Sequence, residues 1–253
     1  MCSASTPYTP IVYLMIQSPF LFLRPFADRI AVSIFIKEDD IRSDAAAAKT
    51  LGMKDAAGLN QAHGKRTVVV RGPSFDGLRM TARSQDLNRS QEADGMLTDA
   101  PDLLLCTRWA DCQNFVMFAP TQNVCGVLHV GWRGLIAGAI PEFFTVLKGE
   151  WGIAPGETLV AAGPSICKQC AEFSDPAREL PNISTEFING KFADLQGAAT
   201  AQFLELGVSP EHFERHPDCT RCNPQTYWTY RGGDRDMVKT GHSNMLVGGL
   251  KRS

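Results

Sequence analysis

Net charge is the first thing this sequence has little of: 25 Lys and Arg against 27 Asp and Glu leave −2 over 253 residues. So weak a field draws neither nucleic acid nor an anionic membrane non-specifically, and an anionic ligand has to be held by a few local arginines. Long apolar runs are also missing. The most apolar stretch, Ile11 to Leu23 (IVYLMIQSPFLFL), is interrupted by Gln17, Ser18 and Pro19 and has no basic segment before it. A bilayer span needs about 20 apolar residues, so the stretch reads as a buried strand pair or a sheet edge, not as a membrane or signal segment. Residues 1–14 read as a flexible tail, or as sequence ahead of a true start at Met15. Without a secretory signal, eight cysteines do not form a disulfide framework, which points to a reducing, cytoplasmic setting where some thiols pack as small hydrophobes. Repeats and low-complexity linkers are absent, so residues 15–253 read as a single domain.

What is present is ordinary globular material: 44% hydrophobic and 21% charged residues, enough to build a core. Asp39 to Gly52 is rich in helix formers and closes on a glycine, so one helix is expected there. Lys65 to Arg71 reads as a short strand. Arg71 to Gly95, broken by glycine and proline, reads as a long surface excursion. Leu103–Cys106 and Phe115–Phe118 are two buried strands around a polar turn, and Val124–Val130 is the next strand. A helix is expected from Leu135 to the glycine at 152, a strand over Glu157 to Ile166, one or two helices between Ile183 and Val208, and a closing hairpin with a final strand. Strands outnumber helices and short turns join neighbours, which favours an α+β fold of layered mixed β-sheets with flanking helices over a doubly wound parallel sheet.

Three side chains stand out as metal ligands: His63 in LNQAHGKR, Cys112 in RWADCQN and His129 in VLHVGWRG. Each sits where an apolar strand meets a glycine-containing or polar turn. Zinc accepts thiolate and imidazole together, and three protein ligands leave a fourth place for water or substrate. The separations follow no local rule, so on spacing alone a shared ion competes with unrelated core histidines and a buried thiol. Cys167-x-x-Cys170 and Cys219-x-x-Cys222 have the inner spacing of a zinc ribbon, with a wider gap between the pairs; packed thiols are the default there and a structural zinc the rival.

LNQAHG, EADGMLTDAPDLLLCTRWADC, GVLHVGWRGLIAG, GPSI and CTRCNPQTYWTYRGGD, in this order from about Met15 to Leu246, resemble the YfiH/YlmD or laccase-domain family. The resemblance implies a YfiH-like layered α+β fold similar to a cysteine-hydrolase toxin domain (CNF1-like), and one zinc held by His63, Cys112 and His129. It also implies phosphorolysis of adenosine, inosine, guanosine and methylthioadenosine to free base and ribose-1-phosphate, with adenosine deamination beside it; older usage makes the family a copper polyphenol oxidase. The expected partners are a small-molecule nucleoside and phosphate, with monomer and homodimer both open.

Phosphorolysis needs cations for phosphate and a dry cleft. Arg133, just ahead of the expected helix, and Arg231 in YRGGDR are the phosphate candidates; a salt bridge from turn to core and an exposed hairpin cation are their plain readings. Asp111, beside Cys112, is either a general acid or base or an acceptor that fixes a histidine tautomer. Cys112 is alternatively a nucleophile with His129 as its base. Trp109, Trp132 and Trp228 line a base-stacking wall or simply fill core. A multicopper oxidase needs many histidines and the chain has five, with His212, His216 and His242 in polar late segments, although copper can enter a Cys-His-His site. The family's N-terminal FFTR-x-GG and SLN are replaced by RIAVSIFIKEDDIRSD, and its GPxIGPCCYEV by GPSICKQCAEF, with Cys167 and Lys168 for Gly-Pro and Ala171 for tyrosine.

Overall fold

A computed structural model describes residues 15–71 and 91–252. The expected tail at 1–14 and most of the expected surface excursion lie outside them. The strands in chain order are β1 (Ile16–Gln17), β2 (Ile30–Phe35), β3 (Asp55–Gly58), β4 (Thr67–Val69), β5 (Gly95–Thr98), β6 (Leu103–Trp109), β7 (Gln113–Ala119), β8 (Val124–Val130), β9 (Leu159–Ala162), β10 (Ile188–Asn189), β11 (Phe192–Ala193), β12 (Phe213–Arg215) and β13 (Asn244–Leu250). The helices are α1 (Asp44–Thr50), α2 (Trp132–Ala137), α3 (Ala139–Trp151), α4 (Pro176–Glu179), α5 (Leu195–Glu205) and α6 (Arg235–Lys239).

Two sheets carry the fold, one ordered β1-β2-β13-β6-β3 and the other β12-β9-β7-β8-β5-β4. Both are mixed: β3–β6, β4–β5 and β12–β9 pair in parallel, and the remaining pairs of these sheets are antiparallel. Alternation along the strands sorts side chains into layers. Val116 and Phe118 of β7 share an inter-sheet core with Leu105 of β6 and Leu246 of β13. Their neighbours Phe115 and Met117 turn the other way, onto Phe143 and Leu147 of α3 and Phe203 of α5. Met245 and Val247 of β13 likewise face outward, onto Ala47 and Ala48 of α1. The result is helix, sheet, sheet and helix in succession, the layered α+β arrangement expected. Because β6, β7, β8 and β13 are buried almost throughout, they read in sequence as continuous apolar runs.

Several expected boundaries move. Among the described residues of Ile11–Leu23, Ile16–Gln17 is a strand, an edge pairing with β2, and Leu21 opens a 3-10 segment that runs to Phe26. The first helix starts at Asp44 rather than Asp39, because Ser43 caps it by accepting the Ala46 amide at 3.1 Å while Asp39 turns back to accept the Ile36 amide at 2.7 Å. The helix expected from Leu135 begins three residues earlier, at Trp132, and is broken in two by Gly138 at φ 82°. No closing hairpin forms: residues 226–234 are turns pinned by hydrogen bonds to Asp111 and Asp234, α6 follows, and only the final strand β13 is as expected.

Candidate metal centre

His129 is the penultimate residue of β8, the central strand beside β7, and its ring is buried. Asp94, just before β5, takes up its Nδ1 at 2.8 Å, and the two side chains are 2% and 1% exposed. A carboxylate only accepts, so Nδ1 carries the proton and Nε2 is the nitrogen left for a ligand. The same carboxylate accepts the His63 amide at 3.0 Å and the Gly64 amide at 2.7 Å. One buried aspartate thus aims one histidine and anchors the loop that carries the other. Gln61 fixes the opposite flank of that loop, donating to the Arg108 carbonyl and accepting the Arg108 amide, each at 2.7 Å. His63 itself sits at φ 57°, in the left-handed region that few non-glycine residues adopt.

Cys112 ends the three-residue turn between β6 and β7. Asp111 before it has φ 80° and is buried, its carboxylate accepting Thr220 Oγ1 at 2.6 Å, Thr229 Oγ1 at 2.7 Å and the Arg231 amide at 2.7 Å. The ligand atoms of His63, Cys112 and His129 all lie within 4.8 Å of one another. Glycines make that approach possible. A Cβ on Gly131 would come within 2.7 Å of His63 Cδ2 and 3.2 Å of Cys112 Sγ, and one on Gly134 within 2.8 Å of the Gly64 carbonyl. Both glycines of the VGWRG segment are therefore clearance for the His63 loop.

Burial alone would push the Cys112 thiol up, but hydrogen bonds and charge from His129 and His63 bring it down to about 6. Burial would push His129 down, yet Asp94 and Cys112 lift it to about 9. Such a pair is a thiolate beside an imidazolium near neutrality, a donor set that a soft or borderline cation would occupy by displacing a proton.

These three groups, with Gln61, Trp109, Trp132, Arg133, Tyr230, Arg231 and His242 among their neighbours, line a cavity of about 560 Å³. Arg133 lies in the first turn of α2, exposed, its guanidinium 4.3 Å over the Trp132 ring. Arg231 is no hairpin cation: its amide is held by Asp111, its guanidinium donates to the Glu172 carbonyl and lies 4.8 Å over Phe173. Trp109 and Trp132 line the cavity, whereas Trp228 packs on His242 and under Lys37. Sequence reasoning did not single out Asp94, Gln61, the Thr220–Thr229 pair or His242 as parts of this site. EADG falls within the expected surface excursion, and only the fold shows that its aspartate is buried and what it touches.

A family model described as multi-copper polyphenol oxidoreductase laccase matches residues 38–248. The chain belongs to this YfiH/YlmD family. A protein of Geobacillus stearothermophilus named purine nucleoside phosphorylase YlmD is 30% identical over 167 residues, 61% of this chain and 59% of that protein. The match thus spans less than two thirds of that relative's length. A protein named adenosine deaminase RL5, from an unknown prokaryotic organism, is 25% identical over 163 residues, 59% of this chain and 62% of that one. The solved structure of YlmD from G. stearothermophilus superposes with a TM-score of 0.74 at 23% identity, covering 90% of this chain and 94% of the other. That of Bacillus licheniformis YfiH also gives 0.74, at 19% identity over 88% and 93%. Among the described residues no helix is long and apolar enough to cross a membrane.

Proposed function

We propose that this protein is a zinc-dependent purine nucleoside phosphorylase, splitting adenosine, inosine, guanosine or methylthioadenosine with phosphate into free base and ribose-1-phosphate. The observation that carries the reading is the meeting of His63, Cys112 and His129 at the floor of a cavity that also holds Arg133. The donor set fits zinc: a thiolate and two imidazoles, one with its tautomer fixed by Asp94, and a fourth place left open. Zinc bound there would supply a Lewis acid able to stabilise negative charge as the glycosidic bond breaks.

The chain's own groups supply the rest. Arg133 and Arg231 present guanidinium donors to phosphate, and Arg231 is held in place by the Asp111 and Glu172 contacts that fix its backbone and head. Trp109 lines the cavity and offers an indole face, which suits a purine ring. Asp111, with its carboxylate already accepting three bonds, acts as a positioning residue for the Cys112 turn and for Arg231. Cys112 beside two imidazoles rather than one favours a ligand over a nucleophile–base pair.

Copper oxidase chemistry fits less well. Among the described residues the cavity wall carries three histidines, of which His242 has its Nδ1 engaged by the Met237 carbonyl at 3.0 Å, and no methionine for an axial position. Adenosine deamination shares the open fourth place, and a relative bears that name.

The test is base release from inosine and adenosine, with and without inorganic phosphate, by protein of measured metal content. Phosphate-dependent release, lost together with zinc in Cys112→Ala and weakened through a raised KM for phosphate in Arg133→Ala, is the expected result. Ammonia release without free base supports a deaminase instead, and dioxygen uptake with a phenol and stoichiometric copper supports an oxidase; either overturns the phosphorylase reading.

A further inference from the structure

Four more cysteines come together away from these ligands. Cys167, Cys170, Cys219 and Cys222 belong to two C-x-x-C pairs whose corresponding members are 52 residues apart, and their four sulfurs all lie within 4.8 Å of one another. Cys170 and Cys222 are 3.6 Å apart at Sγ, and all four cysteines are free thiols. With zinc–sulfur bonds of about 2.3 Å, the edges of a tetrahedral tetrathiolate are about 3.8 Å. The sulfurs are already near that spacing.

The backbone is shaped to match. The Cys170 and Ala171 amides close on the Cys167 carbonyl at 2.9 and 3.0 Å, and the Asn223 amide closes on the Cys219 carbonyl at 3.1 Å, so each pair is a tight turn presenting both sulfurs to one side. The Cys167 amide donates across to Cys219 Sγ at 3.3 Å. Packing does not account for the cluster, since Cys222 is exposed and Cys167 and Cys170 are only half buried. A thiol that merely fills core has no reason to stand at the surface beside three others.

We infer that these four cysteines bind a second zinc ion, in a closed structural site distinct from the His63–Cys112–His129 centre. Four protein ligands leave no open place, so the ion stabilises structure rather than reacting. It ties together two segments without helix or strand. Those segments support the catalytic turn: Thr220, between Cys219 and Cys222, donates to Asp111, and the Ile166 amide beside Cys167 donates to the Asp111 carbonyl at 3.0 Å. Arg221 adds a bond to the Cys170 carbonyl at 3.1 Å, and Arg231 grips Glu172. The second ion is thus a staple behind Asp111 and Arg231.

Full-length protein made with zinc in the medium and freed of loose metal by gel filtration provides the test. The double variant Cys170→Ser/Cys222→Ser is expected to carry one zinc fewer per chain than wild type, whatever the His63 centre holds, and to melt at a lower temperature. His63→Ala/Cys112→Ala is expected to keep the tetrathiolate ion, and its cobalt-substituted form to show the sulfur-to-metal charge-transfer bands of four thiolates. Equal zinc in wild type and the Cys170/Cys222 variant overturns the inference, whether denatured wild type then shows these thiols all reactive, as packed side chains, or all blocked, as disulfides. Iron in place of zinc in the purified protein overturns it as well.

Discussion

His129 and Asp94 form a buried pair, Nδ1 to Oδ1 at 2.8 Å, in which a single carboxylate also accepts the amides of His63 and Gly64. Three donors converge on two oxygens from two parts of the chain more than thirty residues apart in sequence. Asparagine in that place keeps the shape but offers one oxygen and an unwanted N–H donor. Asp94→Asn is therefore expected to lower metal affinity by about 10–100-fold and stability by about 1–3 kcal/mol, measured by competition with a chromophoric chelator and by urea denaturation. Unchanged zinc affinity would mean that Asp94 serves the loop alone.

Gly131, after Val130, lies between His129 and Trp132 and gives room to His63 and Cys112. Its backbone, at φ −69°, is open to any residue, so clearance alone is at stake. In Gly131→Ala the new methyl meets His63 Cδ2 at 2.7 Å and Cys112 Sγ at 3.2 Å, and metal content is expected to fall well below one ion at the His63 centre while the fold persists. Gly149 in α3, where a Cβ meets nothing within 4 Å, is the control: Gly149→Ala should stabilise by about 0.5–1 kcal/mol with metal unchanged. Equal metal content in the two variants would remove the clearance argument.

Much of this was legible in the sequence, and the limits have physical causes. Strand runs such as VCGVLHV and the helix former-rich AAAAK declare themselves because burial and propensity act locally. His63, Cys112 and His129 show in the sequence only as residue types at strand ends; their convergence depends on β8 lying between β5 and β7, a long-range pairing that spacing does not encode. TYWTYRGGD looks like a hairpin because of its strand-like aromatics, yet its polar groups bond to Asp111 and Asp234 instead of forming a ladder. Asp94 was overlooked for a similar reason: a lone acid before a glycine looks like any turn residue until its partners arrive. In sequence the four clustered cysteines read by default as packing, because the 52-residue offset hides that two surface turns face each other.

Asp111 has three acceptor bonds filled by Thr220, Thr229 and Arg231, and its φ of 80° costs strain that those bonds repay. Under the proposed function it would act as a positioning residue, through the Cys112 turn and through Arg231. Asp111→Asn is expected to lose about 1–3 kcal/mol of stability and to raise KM for phosphate more than it lowers kcat, leaving the shape of the pH–rate profile intact. A kcat collapse with loss of one limb of that profile, at unchanged melting temperature, would instead make Asp111 the general acid or base.

Proton release on metal binding reports the charge state of the empty centre. Without an ion, Cys112 is brought down to about 6 and His129 lifted to about 9, so between these values the pair carries a thiolate and a protonated imidazole. Zinc needs the thiolate and a neutral imidazole. Near pH 7.5, binding at this centre should therefore expel about one proton, taken from His129 rather than from Cys112. As pH falls through about 6 the thiol also carries a proton and the release rises; as pH climbs through about 9 His129 is already neutral and the release fades. Affinity follows the same sign, weakening toward acid. Titration calorimetry in buffers of different ionisation enthalpy, on Cys170→Ser/Cys222→Ser protein so that one centre is read, gives the proton count directly. A release that vanishes below pH 6, or that persists undiminished at pH 10, is incompatible with a thiolate–imidazolium pair at the floor of this cavity.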